Sequence, residues 1–480
     1  MEAPAPISPA LPKSTPLAHL RRSFGPGLIV ALIFALLLAD MLPLPAGFTV
    51  QQCRAALLIV FTISSWALNL FPEPLTTLLF FLLAILFQVV PPATIFSGFS
   101  TPTWWLVFGG TVIGIAIRAT TLGERLSHLL SRDPSRTYNR YIALIVVMSV
   151  GLAFVMPSTL GRVMLLVPIV LALADHLGFE SGRTGRTGLV LAVSFGSYMP
   201  STAILPANVP NTVLLGAVDS IYNIKLQYGP YLLLHFPVLG VLKAMVLIWA
   251  ICKLFPDTVA PRALAAGKEA KLSAQEKLLI AVLLVSLGLY ASDAWHGISP
   301  AWISLGAGMI CMLPQARLVT PKALNSQVQI TPLIYVAGFL GLSAMIAQTG
   351  LGAWAGHQLL QVVNMQPGHP GLNLAILAAL GAGIGLITTL PGLPAVMTPL
   401  AREFSQASGL ALYSVLMLEV PVFSTVFLPY ECPPILIGMA LGAVSIRDGT
   451  RLCLLMAAIT LAVLLPLDYL WWNALGYIKP

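Results

Sequence analysis

Polar residues able to bind a small charged molecule cluster at four proline-containing breaks in otherwise apolar stretches of this sequence. Helices that start at such breaks carry backbone N–H groups without intrahelical acceptors, and their dipoles favour negative charge. Neighbouring hydroxyls and amides would add oriented hydrogen bonds, which suit carboxylate or sulfate oxygens and also a neutral polyol. We predict a binding site formed by Ser158, Thr159, Arg162, Asn208, Pro210, Asn211, Thr388, Thr389, Gly392, Cys432 and Pro433.

Two charged residues at these breaks narrow the chemistry. Arg162 follows Ser158 by about one helical turn, and an ionisable group inside a membrane segment is functional by default. Arg162 could supply positive charge to an anionic substrate, or it could form a structural salt bridge or snorkel to the interface. Glu431 could bind a proton for H⁺ coupling, or it could be the static partner of Arg162. Arg118 and Arg402 lie near the ends of apolar runs, where interfacial solvation is expected.

The composition predicts an integral membrane protein. The 480 residues are 58% hydrophobic and only 9% charged, with a mean hydropathy of +0.90, whereas soluble domains have about 25% charged residues. A soluble enzyme is thereby excluded. The net charge of +8 could indicate nucleic acid or acidic lipid, but the basic residues lie in short loops, where membrane topology accounts for them. We predict the lipid bilayer as a partner, no nucleic acid and no cofactor.

Apolar segments near the ~20 residues needed to cross a bilayer recur along the whole chain. One of them, 141–173, is broken near its middle, so each arm would reach only roughly 24 Å of the ~30 Å hydrocarbon core. Basic loops flank this segment at both ends, which places both ends on the cytoplasmic side. We predict re-entrant hairpins at 141–173 and 371–401, broken helices at 188–222 and 411–446, and further spans at 27–43, 55–70, 75–91, 104–120, 230–252, 278–292, 300–314, 331–347 and 452–472, about eleven spans in all.

The sequence contains two copies of one unit. Thr101-Pro102 is echoed by Thr331-Pro332, and Leu205-Pro206 is echoed by Leu428-Pro429. The loop 124–140 is rich in arginine, whereas the corresponding loop 353–370 has neither Lys nor Arg, so the two loops are predicted on opposite sides of the membrane. The repeat is therefore inverted. We predict a cytosolic tail (1–26), an extra first helix (27–54), a first repeat (55–255), a cytosolic linker (256–277) and a second repeat (278–475), with the C-terminus opposite to the cytoplasmic N-terminus.

Several short motifs, in order along nearly the whole chain, resemble those of one transporter family. Trp66 with Phe71-Pro72-Glu73-Pro74 resembles a tryptophan–glutamate–proline segment, and Ser158-Thr159-Leu160 lies where a serine–asparagine–threonine signature is expected. Asn208-Val209-Pro210-Asn211 and Cys432-Pro433-Pro434 resemble two threonine–proline–proline–asparagine breaks. Together these motifs resemble the divalent anion/sodium symporter family, within the ion transporter superfamily.

The resemblance implies an all-α homodimeric carrier of the bacterial inner membrane, with a transport domain that moves like an elevator against a scaffold. It implies a di- or tricarboxylate or sulfate held between hairpin tips and broken helices, with sodium nearby in many members. Both hairpin tips here lack the signature asparagine of the sodium sites, so we expect H⁺ coupling or anion exchange, with Arg162 in place of a sodium ion. The alternative is a sodium-coupled sulfate or dicarboxylate symporter with sodium near Ser158, Thr159 and Thr389.

Two other classes of membrane protein remain as alternatives. A passive anion channel can also line its pore with re-entrant segments and broken helices. A polytopic membrane enzyme has weaker support, because no H-E-x-x-H, no G-x-S-x-G and no paired intramembrane aspartates occur in the sequence. Trans-stimulated exchange would distinguish a carrier from a channel.

Overall fold

The fold is all-helical and polytopic, which confirms the class predicted from composition. The computed structural model describes residues 16–41, 44, 47–67, 70–120, 125, 137–259, 272–328, 330–363 and 365–478. Within these residues there is no β-strand. Eight of their helices are long and apolar enough to cross a membrane, and four shorter helices are apolar as well. Most of the predicted tail 1–26, linker 256–277 and loop 124–140 lies outside the described residues.

The helix bounds follow the hydrophobic segments to within a few residues at most positions. The first helix begins earlier than predicted, inside the segment that we assigned to the tail. The helices outside the hairpins and helix breaks are Pro16–Leu38, Val50–Ala67, Glu73–Leu86, Pro92–Ile95, Ser97–Ser100, Pro102–Ala119, Tyr228–Leu254 (with a π-helical segment, Phe236–Leu242), Ala274–Ala291, Asp293–His296, Pro300–Met312, Pro321–Gln327, Ile330–Gln348, Leu351–Val362 and Ile446–Ala474 (with a π-helical segment, Thr460–Leu464).

Two helical hairpins lie where proline breaks were predicted, with somewhat different ends. The first has arms Tyr138–Val155 and Thr159–His176, joined at a tip around Pro157. The second begins with Pro370–Ile387 and returns through Gly392–Met397, Thr398–Leu400 and Ala401–Ser408, so it extends beyond the predicted end at 401. Proline produces these tips because it lacks a backbone N–H and its ring clashes with the preceding turn of a helix.

Two broken helices follow the hairpins. The first consists of Thr184–Gly196 and Val209–Tyr222, separated by a bend that includes the 3₁₀ turn Pro200–Ala203. Its break comprises residues 197–208 and lies within the predicted broken helix at 188–222. The second consists of Leu412–Phe423 and Pro433–Leu441, with the 3₁₀ turn Pro429–Glu431 between the halves. The order of hairpin, broken helix and a helix with a π-helical segment thus occurs twice in the chain.

The buried apolar residues divide into separate cores. The largest core contains residues of both hairpins, both broken helices and the two helices that contain π-helical segments. A second core joins the early helices with Ile330–Gln348, and a third joins Pro102–Ala119 with Ala274–Ala291 and Pro300–Met312. The repeated hairpin and broken-helix elements therefore share most of one core, and the remaining helices form a second layer beside them. The division is incomplete, since Val213 and Ala395 belong to the second core and Leu106 belongs to the largest.

Close helix crossing within the second layer depends on glycine. A Cβ atom at Gly109 would lie 2.5 Å from the backbone carbonyl of Ser304, on helix Pro300–Met312. The Ser304 hydroxyl also donates a hydrogen bond across this crossing to the Leu106 carbonyl, at 3.2 Å. Small residues allow such contacts where helices meet in lipid, because the solvent there supplies no hydrophobic driving force.

Candidate functional site

A cavity of about 470 Å³ lies where the two hairpin tips and both helix breaks meet the second layer. Six of the predicted site residues line it. The lining includes Ser158, Thr159, Asn208, Pro210, Cys432 and Pro433 among the predicted residues, and Glu73, Thr111, Arg118, Tyr198, Thr212, Tyr335, Leu390 and Pro391 in addition.

Four of these six predicted residues belong to the first repeat, and two, Cys432 and Pro433, belong to the second. The tip of the second hairpin contributes Leu390 and Pro391 to the cavity wall, in place of the threonines that we predicted there. The cavity is therefore shared between the repeats, but the first repeat supplies most of its hydrogen-bonding side chains.

The first hairpin tip presents a helix start to the cavity. Ser158 is the N-cap of helix Thr159–His176, and its hydroxyl accepts a hydrogen bond from the Gly161 N–H at 3.1 Å. Ser158 and Thr159 both line the cavity, as does the neighbouring Pro157. The first backbone N–H groups of a helix have no intrahelical acceptor, and the helix dipole is positive at this end. The tip therefore favours an anion in the cavity.

The break of the first broken helix presents a second helix start. Asn208 is the N-cap of Val209–Tyr222, and its Oδ1 accepts a hydrogen bond from the Asn211 N–H at 3.1 Å. The Asn208 Nδ2 is buried and has no hydrogen-bond partner among the described residues, and Asn208 lines the cavity. Asn211 is outside the lining, and its Nδ2 donates to the carbonyls of Thr202 and Ile204 at 2.9 and 2.8 Å. Asn211 therefore fixes the shape of the break.

Arg162 does not line the cavity. Its side chain is 0% exposed, and its guanidinium lies in a cage of five oxygen atoms just behind the hairpin tip. Nη1 donates to the carbonyls of Met156 and Ala207. Nη2 donates to the Ser197 carbonyl at 2.7 Å and to the hydroxyls of Thr159 and Ser201, each at 3.1 Å.

The cage compensates the buried charge of Arg162 without a carboxylate. Met156 and Ser197 are the C-caps of helices Tyr138–Val155 and Thr184–Gly196, and the negative ends of helix dipoles favour a cation. Among the described residues, no salt bridge joins Arg162 to Glu431. The geometry therefore supports neither direct contact with substrate nor the static pair with Glu431. The Arg162 Nη2 lies 3.1 Å from the hydroxyl of Thr159, one of the residues that the sequence suggested for a sodium ion.

The predicted residues Thr388, Thr389 and Glu431 make their contacts within the protein, at the second hairpin tip and in the second helix break. The Thr388 hydroxyl donates to the Ile384 carbonyl at 2.9 Å, and the Thr389 hydroxyl lies 3.0 Å from the Tyr335 hydroxyl. A Cβ atom at Gly392 would lie 3.2 Å from the Thr388 Cβ, which explains a small residue there. Glu431 is buried, and its two carboxylate oxygens accept hydrogen bonds from the N–H groups of Phe427 and Leu428, at 3.2 and 3.0 Å.

Two charged residues that the sequence did not assign to the site line the cavity. Arg118 projects from helix Pro102–Ala119, and Glu73 begins helix Glu73–Leu86. Among the described residues, no carboxylate lies within salt-bridge distance of Arg118. From the sequence, Arg118 was expected to be solvated at the membrane interface, because it lies near the end of an apolar run. Its place in the cavity wall could not be predicted, because periodicity gives the face of a helix but not the element that packs opposite. Glu73 was noted only as part of a motif.

Paired hairpins and broken helices around a central cavity define the class of repeat-built secondary transporters. The model of the sodium:sulfate symporter transmembrane region matches residues 27–478, and the chain therefore belongs to this family, the divalent anion/sodium symporters. An integral membrane protein is thus established for this chain from both fold and family.

Relatives of known name extend over much of the chain. A membrane protein of Cupriavidus necator is 22% identical and covers 94% of this chain and 93% of its own length. The sodium-dependent dicarboxylate transporter SdcS of Staphylococcus saprophyticus is 22% identical, and the match covers 89% of this chain and 88% of the relative. A citrate/succinate antiporter of Escherichia coli is 23% identical, and the match covers 77% of this chain and 78% of the relative.

Proposed function

We propose that this protein is a sodium-independent carrier of small organic anions, most readily di- and tricarboxylates, which works by exchange or with a proton. The observation that carries the proposal is the pairing of a donor-rich cavity with a filled cation cage. The cavity offers an anion three kinds of donor: helix-start N–H groups, the free Asn208 amide and the Arg118 guanidinium. The cage beside it already holds a cation, the side chain of Arg162.

The substrate class follows from the donors and from the relatives. Carboxylates accept several hydrogen bonds at once, and charge-assisted bonds to guanidinium are stronger than bonds between neutral groups. Relatives named for dicarboxylates and for citrate and succinate support the same class. Apolar and aromatic groups such as Val107 and Tyr335 form other parts of the wall, which suits the carbon skeleton of an organic acid better than sulfate.

Sodium independence follows from the cage. Hard cations bind to sets of oxygen ligands, and the carbonyl and hydroxyl oxygens around Arg162 form such a set. A guanidinium in this set excludes a diffusible cation and supplies the same positive charge at every sodium concentration. A gradient of sodium would therefore do no work at this position. The relative named as a sodium-dependent dicarboxylate transporter supports the opposite expectation, that transport requires sodium. The transport assay below distinguishes sodium-dependent from sodium-independent uptake.

An elevator movement is supported by the division of the cores. The hairpins and broken helices share most of one core, while most buried apolar residues of the helices that form the opposite wall belong to the other cores. Gly110 and Pro157 face each other across this division, since a Cβ atom at Gly110 would lie 3.4 Å from the Pro157 Cβ. Disulfides need a Cβ–Cβ distance of about 3.5–4.5 Å. Oxidation of a Gly110→Cys, Pro157→Cys variant should stop transport, and reduction should restore it.

A cross-linked variant that still transports at the rate of its reduced form would exclude relative movement at this contact. The parent chain, oxidised and reduced in parallel, controls for its own five cysteines.

The main test is transport by purified protein in liposomes loaded with succinate. We expect saturable uptake of labelled succinate or citrate that is stimulated by internal anion and unchanged when sodium is replaced by potassium. Uptake that requires sodium would favour the symporter, and uptake without trans-stimulation would favour a channel. Arg118→Ala tests the cavity, and Arg402→Ala is its matched control because Arg402 is exposed and packs against Tyr222.

A further inference from the structure

A second cavity, of about 220 Å³, lies within the core of the hairpins and broken helices. Its walls come from Pro370–Ile387, from Leu412–Phe423 and from the last helix, Ile446–Ala474. Most of the lining is apolar, including Leu374, Leu418 and Leu465. Asp468 stands in this wall, and the two cavities have no lining residue in common.

The Asp468 carboxylate is buried without hydrogen bonds. The residue is 1% exposed, and neither of its oxygens has a hydrogen-bond partner among the described residues. The Nε1 of Trp472, one helical turn further on, is also without a partner there. Buried polar groups are almost always paired, so each exception needs an explanation. Asp468 and Trp472 both lie in the wall of the same cavity.

Lys243 provides the only opposing charge that acts on Asp468 from another described element. The Lys243 side chain is 0% exposed, and its Nζ donates to the carbonyl and to the hydroxyl of Ser424, both at 2.7 Å. Ser424 is the C-cap of helix Leu412–Phe423. Lys243 and Asp468 are not in salt-bridge contact, because no such pair occurs among the described residues. The charges of Lys243 and Asp468 therefore interact through space, without direct contact.

The two residues occupy related places in the repeat. Lys243 directly follows the π-helical segment Phe236–Leu242, and Asp468 lies one turn beyond the π-helical segment Thr460–Leu464. Single π-turns inside helices occur frequently at functional sites, because they change which side chains face a neighbouring element. In the membrane, ionisable side chains that face the interior of a helix bundle commonly belong to ion pathways.

Other ionisable groups around Asp468 have different partners. Helix Pro370–Ile387 has no ionisable side chain. Glu419, on Leu412–Phe423, accepts hydrogen bonds from the Thr398 hydroxyl, and the His235 ring lies 5.6 Å from the Trp472 ring without a hydrogen bond among the described residues. Tyr469 lines the same cavity as Asp468. On the adjoining helices, Tyr231 donates to the Thr202 carbonyl and Tyr413 stacks on Tyr477.

A purely structural ion pair does not account for this arrangement. A stable buried pair has the charged groups in contact and their remaining hydrogen-bonding positions filled. Here the carboxylate lies beside a cavity without hydrogen bonds, while the ammonium is held by a helix end. The carboxylate can take up a proton and release it, without any covalent change elsewhere, and Lys243 sets the charge that opposes protonation. We propose that Asp468, positioned opposite Lys243, binds the proton that is co-transported with the anion.

This proposal rests on the proposed carrier function and adds its coupling ion. It also places the proton on Asp468 instead of Glu431, whose two oxygens already accept hydrogen bonds from backbone N–H groups. Those bonds favour the ionised carboxylate.

The first test measures protons and anions together, in liposomes that contain a pH-sensitive dye. In the wild-type protein, uptake of labelled succinate should move protons in a fixed ratio to anion. In Asp468→Asn the ratio should fall to zero. Glu180→Gln is the matched control, because Glu180 is exposed and lies away from both cavities, and it should keep the wild-type ratio. Wild-type exchange without proton movement, or a normal ratio in Asp468→Asn, would overturn the proton site while leaving the carrier function intact. Absence of all anion transport by the wild-type protein would instead overturn the carrier function.

A second test does not depend on a folded variant. Dicyclohexylcarbodiimide reacts with protonated carboxyl groups in apolar surroundings, and peptide mass spectrometry locates the product. With wild-type protein, we expect labelling of Asp468 that increases as the pH falls and decreases when succinate is added. Lack of label on Asp468 across the acid range, with label on Glu431 instead, would transfer the proton to Glu431 and overturn the proposal.

Discussion

Removal of the Arg162 side chain should create a sodium site. In Arg162→Ala, the oxygen atoms of the cage remain on the hairpin tip and on the first broken helix, while the guanidinium between them is lost. Such an oxygen set suits a hard cation. We therefore expect the variant to be destabilised and then to be stabilised again, in part, by sodium.

The size of both effects can be worked from the contacts. Hydrogen bonds to a charged group contribute about 1.5–3 kcal/mol each, but the five bonds share one guanidinium and are not additive. The carbonyls of Met156, Ser197 and Ala207 also keep other donors, from Ser158, Ser201 and Thr159. We therefore expect a loss of about 3 kcal/mol, well below the sum. Sodium at about ten times its Kd would restore about 1.4 kcal/mol.

The assay is thermal unfolding of the purified protein in detergent, with sodium or potassium as the added cation. Arg162→Ala should unfold at a lower Tm than the wild type and should show a Tm that rises with sodium more than with potassium. Arg162→Lys is the matched control, since it keeps a tethered positive charge and should show no response to sodium. An Arg162→Ala variant with the wild-type Tm, or with no preference for sodium, would refute the interpretation of the cage.

Three further outcomes follow from contacts described above. Arg118→Ala should raise the KM for dicarboxylate uptake about tenfold, because loss of about 1.4 kcal/mol of binding corresponds to that factor, and an unchanged KM would exclude Arg118 from substrate binding. Gly109→Ala should lower the Tm of the purified protein, since its Cβ would meet the Ser304 backbone at 2.5 Å, whereas Gly151→Ala, with nothing within 4 Å of its Cβ, should not. In the loop after Leu254, burial by itself raises the pKa of Asp257, but hydrogen bonds from Arg183 and from the N–H groups of Thr258 and Gly185 outweigh it, so the pKa is lowered. The ionised Asp257 should therefore stabilise the folded protein above the ordinary pKa of Asp, and this stabilisation should be lost as the pH falls through the lowered pKa. Asp257→Asn should flatten this part of a profile of Tm against pH.

The sequence was sufficient to predict the helices and the places where they break. Apolar segments are long enough to predict spans, and prolines within them mark the hairpin tips and helix breaks, because proline removes a backbone donor. The bounds of Pro102–Ala119 and Ile330–Gln348 differ from the predicted spans by one or two residues. The first helix and the end of the second hairpin were less accurate, because charged or polar residues there mask the helical pattern.

The partners of individual side chains could not be predicted in the same way. Arg162 was singled out from its type and position, but its partners are mainly backbone carbonyls, which have no signature in a sequence. Arg118 and Asp468 were missed for a related reason. The contacts of both depend on which distant helix packs opposite, and that is decided by tertiary structure and not by local pattern.

The two buried cations suggest why a proton would be needed. Arg162 donates to the carbonyl of Ser197 and Lys243 donates to that of Ser424, so each broken helix has a tethered cation at the C-terminal end of its first half. A diffusible cation stabilises a state in proportion to its concentration, and its gradient can therefore drive a cycle. A tethered cation stabilises the same state at every ion concentration and cannot do such work. Under the proposed function, the driving force must come from the anion gradient or from an ion bound elsewhere, and Asp468 is the buried group whose charge can change during the cycle.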